Sequence, residues 1–176
     1  MKQWTPRVRR LHADEEAMRC LACRSELISF ATEGTPADFY RVTYRCIGLV
    51  WDEQASTPVR HDNFEVTIVL HADYPRLQPQ LRMTSPIFHP NIKNGGICIN
   101  NKIWSPLEAL DDLCVRIGHM IQYQNYDPYD FLDEKAAVWA RSHAAEFPVD
   151  IRCLTSAQLQ SSPGQPASAR QGGSVV

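Results

Sequence analysis

HPNIKNGGICINNKIWSP, residues 89–106, is the stretch on which the reading of this chain turns. A His-Pro-Asn turn leads through two adjacent glycines to Cys98 in a short apolar run, and a Trp-Ser-Pro helix start follows. About twenty residues from Pro86 onward show no regular apolar period, and an irregular segment of that length inside a compact domain is commonly functional. The arrangement reads as a thiol fixed at the surface by its scaffold.

Downstream, Ser105-Pro106-Leu107-Glu108 reads as a helix start, with Ser105 as cap, Pro106 at the first position and Glu108 closing a capping box. Leu107, Leu110, Cys114, Ile117 and Ile121 then make a core stripe that Leu113 and Met120 widen. QNYDPYD breaks this helix. Residues 131–143 form another, with Leu132, Ala136, Trp139 and Ala140 inward and Asp130 as its cap.

Upstream, Phe64, Val66, Ile68 and Leu70 alternate with more polar neighbours, as a half-buried strand requires. Tyr40, Val42, Tyr44, Cys46 and Gly48 share one face of an earlier strand, while residues 26–33 and 81–84 supply a weaker and a shorter one. The connections GTPAD, WDEQASTPVRHDN and ADYPRLQP lack room for crossover helices, so the strands form an antiparallel meander. Residues 8–27 read as an amphipathic helix, with Leu11, Met18, Leu21, Ala22 and Leu27 inward and Arg9, Arg10, Glu15, Glu16 and Arg24 in solvent. The expected fold is therefore α+β: an N-terminal helix, a four-stranded antiparallel meander, the irregular segment and two further helices, within residues 1–155. SSPGQPASARQGGSVV has no periodic apolar face, and residues 156–176 read as a flexible tail.

With 176 residues, 44% of them hydrophobic, the chain can build one core but not two comfortable domains. Acidic and basic residues are mixed to a formal charge of -2, without a basic block, so nucleic acid is not an expected partner. The first residues lack an apolar signal core and no run is long enough to span a bilayer, which points to a cytoplasmic protein without a membrane partner. In that setting the six cysteines read as reduced thiols. Cys20 and Cys23 fall inside a helical pattern with no second ligand pair, so neither a metal nor any other cofactor is expected.

Tyr74-Pro75, Pro79, His89-Pro90-Asn91, Gly96, Ile97-Cys98 and Trp104-Ser105-Pro106 follow one another along the chain, with Asp127-Pro128 and Ala136-Ala137 beyond them. With this ordered set the chain resembles the ubiquitin-conjugating enzymes over residues 8–145. The resemblance implies that Cys98 accepts a ubiquitin-like modifier as a thioester from an activating enzyme and passes it to an amine, normally a lysine of a protein substrate. A ligase would join where the pathway uses one. Cysteine suits that exchange, since its thiolate is both a strong nucleophile and a fair leaving group.

The resemblance also distributes roles around the thiol. Asn91 either stabilises the oxyanion formed during attack or holds the segment through backbone hydrogen bonds. Asp127 faces the incoming lysine, or else is a plain Asp-Pro turn residue, with Tyr126 and Tyr129 on the same rim. His89, Pro90 and Trp104 belong to the active-site turn as structural parts. Arg9 and Arg10 would receive the activating enzyme. Cys46 and Cys114, on patterned core faces, read as buried small hydrophobes. A thiol hydrolase would need a histidine base with an orienting partner, and His89, His119 and His143 offer none. The other alternative is a catalytically inactive ubiquitin-binding or scaffold variant, which would normally lack the cysteine. Only Asn100 and Asn101 separate Ile99 from Lys102-Ile103-Trp104, the Asn91-to-Cys98 spacing is short, and the 51–63 loop is unlike the usual one. These departures suggest a divergent or prokaryotic member.

Overall fold

The computed structural model describes residues 4–99 and 104–156. Helix α1 spans Pro6–Arg24; the Thr5 side chain accepts from the Val8 amide, and Pro6 takes the first turn, where its missing N–H costs nothing. Leu27 thus lies outside the helix. The buried stripe is Leu11, Asp14, Met18 and Leu21, so a carboxylate occupies one of its positions.

Strands β1 (Ile28–Gly34), β2 (Ala37–Tyr44), β3 (Gly48–Asp52), β4 (Thr57–His61), β5 (Phe64–Val69) and β6 (Gln80–Met83) follow. The main sheet has the order β1-β2-β5-β6 with every pair antiparallel, which is the four-stranded meander that the sequence predicts. Tyr40, Val42 and Tyr44 pair with Ile68, Val66 and Phe64, and all six are buried beneath α1 and α2. The chain departs from the sequence reading after Tyr44. Cys46 lies in a break, Gly48 opens β3, and β3 pairs with β4 in a separate two-stranded ribbon where a plain loop is expected. The period of two runs unbroken from Tyr40 to Gly48 and so hides the break. Gly48 itself is fixed by close packing, because a Cβ there would sit 2.8 Å from the Phe64 ring and 2.9 Å from Ile121.

Helix α2 (Leu110–Ile121) begins a turn later than Ser105-Pro106 suggests. Ser105 caps only a local turn, accepting from the Leu107 amide, and Leu107 is 92% exposed rather than part of the stripe. The first helical amide, Leu110, is met instead by the buried Asp14 carboxylate at 3.3 Å. Asp14 also accepts from Arg10 Nε at 3.0 and 2.9 Å and from the Tyr74 hydroxyl at 2.7 Å. Arg10 donates further to Tyr74 and to the carbonyls of Pro106 and Glu108. The expectation that Arg10 stays in solvent is therefore corrected: its side chain is 18% exposed and locks α1 to the entrance of α2. Helicity alone places Arg10 beside Arg9, but apart from Asp14 its partners come from segments more than sixty residues away.

Helix α3 (Glu134–Ser142) is capped by Asp133, which accepts from the Ala136 amide at 3.3 Å; Asp130 is not the cap. Leu132 precedes the helix and is exposed, whereas Ala136, Ala137 and Ala140 are buried and Trp139 is half-buried. Past a short turn at Ala144–Glu146, residues 147–156 form an irregular strap. Val149 donates to the Gln122 carbonyl, and the Gln122 and Gln124 side chains donate to the carbonyls of Arg152 and Asp150. Leu154 fills the space above Gly118, where a Cβ would come within 2.6 Å of it. The strap so fixes the exit of α2, from which the functional loop departs. Of the expected tail, residues 157–176 lie outside the described residues.

Asp150 anchors the strap. Burial acts to raise its pKa, but bonds from the Arg152 guanidinium and the Ile47 and Arg152 amides outweigh it and bring the value down to about 2. A depressed carboxyl stabilises the fold above its unfolded pKa and stops doing so once both states are protonated. Asp150→Asn should therefore lose about 2 kcal/mol at pH 7, and the loss should shrink as the pH falls from 4 towards 2. Urea denaturation of both proteins across that range measures it.

Candidate active site

The irregular segment contains a small hairpin. Strands β7 (Ile92–Lys93) and β8 (Gly96–Ile97) are joined by Asn94 and Gly95, with φ of 53° and 83°. Positive φ at both central residues is the tight-hairpin geometry for which Asn-Gly is the preferred sequence. That signal stood in the chain inside what reads as irregular structure. The hairpin folds the chain back so that the Cys98 amide donates to the Asn91 carbonyl at 2.9 Å. Cys98 is half-buried at this point.

Asn91 is wholly buried. Its Nδ2 donates to the carbonyls of Asp127 at 2.9 Å and Asp130 at 2.6 Å, while its Oδ1 accepts from the Asp127 amide at 2.8 Å. Both amide hydrogens are thus engaged with backbone. Asp127 Oδ1 in turn accepts from the amides of Tyr129 at 2.8 Å and Asp130 at 3.2 Å, a local Asx-type turn. The Pro90 carbonyl receives the amides of Leu132 and Asp133 at 2.8 and 2.9 Å. Residues 89–91 and 127–133 consequently form one bonded unit, although more than thirty positions separate them.

His89 has no exposed surface; its Nδ1 accepts from the Asn91 amide at 3.1 Å and its ring meets Tyr123 edge-on at 4.7 Å. Burial pushes its pKa down to about 3 against a small upward pull from the Met120 backbone. At neutral pH the ring is therefore uncharged, buried and bonded to the Asn91 amide. Tyr123 closes the other side, its hydroxyl donating to the Phe88 carbonyl at 2.5 Å. Trp104 donates from Nε1 to the Pro75 carbonyl at 2.8 Å and lies beside the Tyr74 ring, tying the far end of the segment to the β5–β6 connection.

The structure thus gathers Cys98, Asn91, Asp127, His89 and Pro90 into one cluster. Tyr126 is half-buried against Tyr123 and Phe147, and Tyr129 is 80% exposed on the rim. Arg9 is exposed on α1 and donates to the Trp4 carbonyl; Arg10 points inward, as described. Cys46 and Cys114 are buried, and burial pushes the Cys46 thiol up to about 12 and the Cys114 thiol higher still. Cys20, Cys23 and Cys153 are exposed, on α1 and the strap rather than in the cluster. The sequence reading missed Tyr123 and Asp133. Tyr123 works through Phe88, far away in the chain, which no local pattern reports, whereas the cap at Asp133 is a local signal that Asp130, three residues earlier, also offers.

Comparison with known proteins agrees with this architecture. The family model for ubiquitin-conjugating enzymes matches residues 48–154, and the chain belongs to that family. Ubiquitin-conjugating enzyme E2 pex4 of Dictyostelium discoideum is 32% identical over 88 residues, which is 48% of this chain and 58% of that protein. Protein PEROXIN-4 of Arabidopsis thaliana is 34% identical over 77 residues, 42% of this chain and 49% of its own length. The chain spans about half the length of these relatives. A ubiquitin conjugating enzyme E2 domain from Toxoplasma gondii shares the fold, with a TM-score of 0.57 at 21% identity, covering 80% of this chain and 91% of that one. No helix among the described residues is long and apolar enough to cross a membrane.

Because Asn91 joins the two halves of the cluster, Asn91→Ala should cost about 3 kcal/mol, the loss of a buried group bonded three times to backbone. Asn91→Asp should cost more at pH 7, since a carboxylate would then face the Asp127 and Asp130 carbonyls. Urea denaturation gives the magnitudes. Faster hydrogen exchange at the Asp127, Tyr129 and Asp130 amides should accompany both substitutions.

Proposed function

We propose that this chain carries a ubiquitin-like modifier as a thioester on Cys98 and transfers it to an amine, normally a lysine of a protein substrate. The observation that supports the reading most is the Cys98 backbone bonded to Asn91, whose side chain holds the Asp127–Asp130 loop beside it. The Cys98 thiolate attacks the carbonyl of the thioester on the activating enzyme, whose cysteine leaves as thiolate. The amine then attacks the new thioester, an amide forms, and Cys98 departs with the electron pair while the amine loses its proton to solvent or a nearby base.

Asn91 acts here as a positioning residue. To donate to an oxyanion it would first have to release one of two backbone carbonyls, so its holding role precedes any catalytic one. Asp127 orients the incoming ammonium. A carboxylate favours the charged amine, so removal of the proton from a group with pKa about 10.4 is left to desolvation in the closed complex. The short interval from Cys98 to Trp104 and the β3–β4 ribbon fit a divergent member of the family. The partners are the modifier, an activating enzyme, the protein substrate and, where one is used, a ligase; no step calls for a metal or other cofactor.

With a cognate activating enzyme, modifier and ATP, the protein should form an adduct that thiol reductant cleaves. Cys98→Ser should give at most a reductant-resistant ester, and Cys98→Ala no adduct. A reductant-sensitive adduct on Cys98→Ala would overturn the assignment.

Arg9 is an exposed cation in the first turn of α1, and we assign it to docking of the activating enzyme, by electrostatic steering. Arg9→Glu should slow charging at low salt, with the difference narrowing at high salt, and leave the melting temperature nearly unchanged. Arg10→Glu should instead lose about 3 to 5 kcal/mol of stability, because it leaves Asp14 buried without its cation. Stopped-flow charging at two ionic strengths, beside urea denaturation, separates the two arginines.

A further inference from the structure

The hairpin that carries Cys98 also carries a primary amine on the same face. Ile92 pairs with Ile97 and Lys93 with Gly96, and the Cys98 amide bonded to Asn91 extends that register by one pair. Side chains alternate along each strand, so Ile92 and Ile97 share one face while Asn91, Lys93 and Cys98 share the other. Lys93 and Cys98 are then diagonal neighbours, about 7 to 8 Å apart between backbones, a gap that a long side chain spans. Neither of the other two corners blocks the diagonal. Gly96 has no side chain, and the Asn91 carboxamide is turned to the Asp127 and Asp130 backbone. The Lys93 side chain is 45% exposed, and its ammonium lies 3.7 Å from the Asp133 carboxylate, which also caps α3.

The rest of the chain is poor in such amines. It has fourteen arginines and four lysines. A guanidinium stays protonated and cannot attack an acyl group. Lys2 and Lys102 lie outside the described residues, and Lys135 sits over the Trp51 ring, 3.1 Å from its centroid. Both described lysines are therefore engaged, one by a carboxylate and one by an indole face.

We propose that Lys93 is an internal acceptor for the acyl group carried on Cys98, and that Asp133 holds it back. The inference rests on the reading of Cys98 as the acyl carrier, and it gives that site a self-modification branch. Lys93 Nζ, having given its proton to solvent, attacks the thioester carbonyl. The C–S bond breaks, Cys98 leaves as thiolate and an amide remains on Lys93. The product is a dead end, since the modifier is lost to the substrate and stands beside the thiol. Proximity favours this branch over any dilute amine, which gives the ion pair a function. An ammonium bound to a carboxylate has no lone pair to offer and is tethered to the cap of α3.

A small acyl donor tests this without modifier or activating enzyme. The probe is a short peptide ending in Gly-Gly, supplied as its thioester with 2-mercaptoethanesulfonate. In the full chain carrying Cys20→Ser, Cys23→Ser and Cys153→Ser, Cys98 displaces 2-mercaptoethanesulfonate and takes the acyl group. Mass spectrometry then separates a thioester, which excess thiol removes, from an amide on Lys93, which survives. Asp133→Asn keeps the helix cap, because asparagine caps as well as aspartate. It should speed amide formation about fivefold, as loss of a partly exposed ion pair implies. High salt should speed the parent protein and leave the Asp133→Asn variant unchanged, while Cys98→Ala should abolish the amide. Equal rates in parent and Asp133→Asn, an amide on Lys93 that forms as fast in Cys98→Ala, or acylation of Lys135 keeping pace with Lys93 would overturn the proposal. So would a Cys98 that takes no acyl group, or one whose thioester decays only to free acid in Asp133→Asn. If an activating enzyme charges Cys98 and Lys93 still stays unmodified in Asp133→Asn, this inference alone fails. Peptide transfer to Lys93 in a protein that no activating enzyme charges would instead count against the carrier reading.

Discussion

The side-chain amide of Asn91 can satisfy three backbone groups at once, and here it satisfies three that lie in a loop remote in sequence. A buried carboxamide is costly unless each donor and acceptor finds a partner. Here Asp127 supplies a donor and an acceptor and Asp130 a second acceptor. Because the main chain of the same residue holds the Cys98 amide, the position of the thiol and that of the opposing loop are no longer independent. His89, Tyr123 and the Pro90 carbonyl add bonds to this unit, and each is a backbone contact that a mobile loop could not maintain. The cluster is therefore held by bonds within the chain itself.

The fold has a second polar anchor. Asp14, Arg10 and Tyr74 join α1, the β5–β6 connection and the start of α2 in one part-buried network. Such a network contributes little over a well-packed apolar alternative, but it penalises any arrangement in which one partner is missing. It also sets the register of α2. The helix starts where the Asp14 carboxylate meets the Leu110 amide, not where the local capping pattern ends. From that register follow the direction in which α2 leaves the core and the place where Tyr123 can reach Phe88.

The four-stranded meander, the helix before it, the two helices after it and the segment carrying Cys98 could all be read from the chain, because each rests on local periodicity or on turn chemistry between near neighbours. Phe64, Val66 and Ile68 alternate and are buried; Leu110, Cys114 and Ile117 recur at helical spacing and are buried. The ordered set from Tyr74-Pro75 to Trp104-Ser105-Pro106 gave the family. Even the Asn94-Gly95 hairpin was available from sequence, as a tight turn needs no distant partner.

Tertiary structure decided what depends on partners far along the chain. Arg9 and Arg10 are adjacent and chemically alike, yet one faces solvent and the other reaches Tyr74 and the Glu108 carbonyl, because α1 is rolled onto α2 by its apolar stripe. Ser105 had the sequence of a cap and lost the helix to Asp14. Leu107 and Leu132 fitted apolar stripes and ended exposed, since the helices they were assigned to begin after them. Residue type and spacing specify which groups can bond and at what local period, but a hydrogen bond between Asn91 and Asp127 exists only once packing has brought two distant segments together. That is why Cys98 could be singled out from the chain alone, while only the fold shows what its backbone is bonded to.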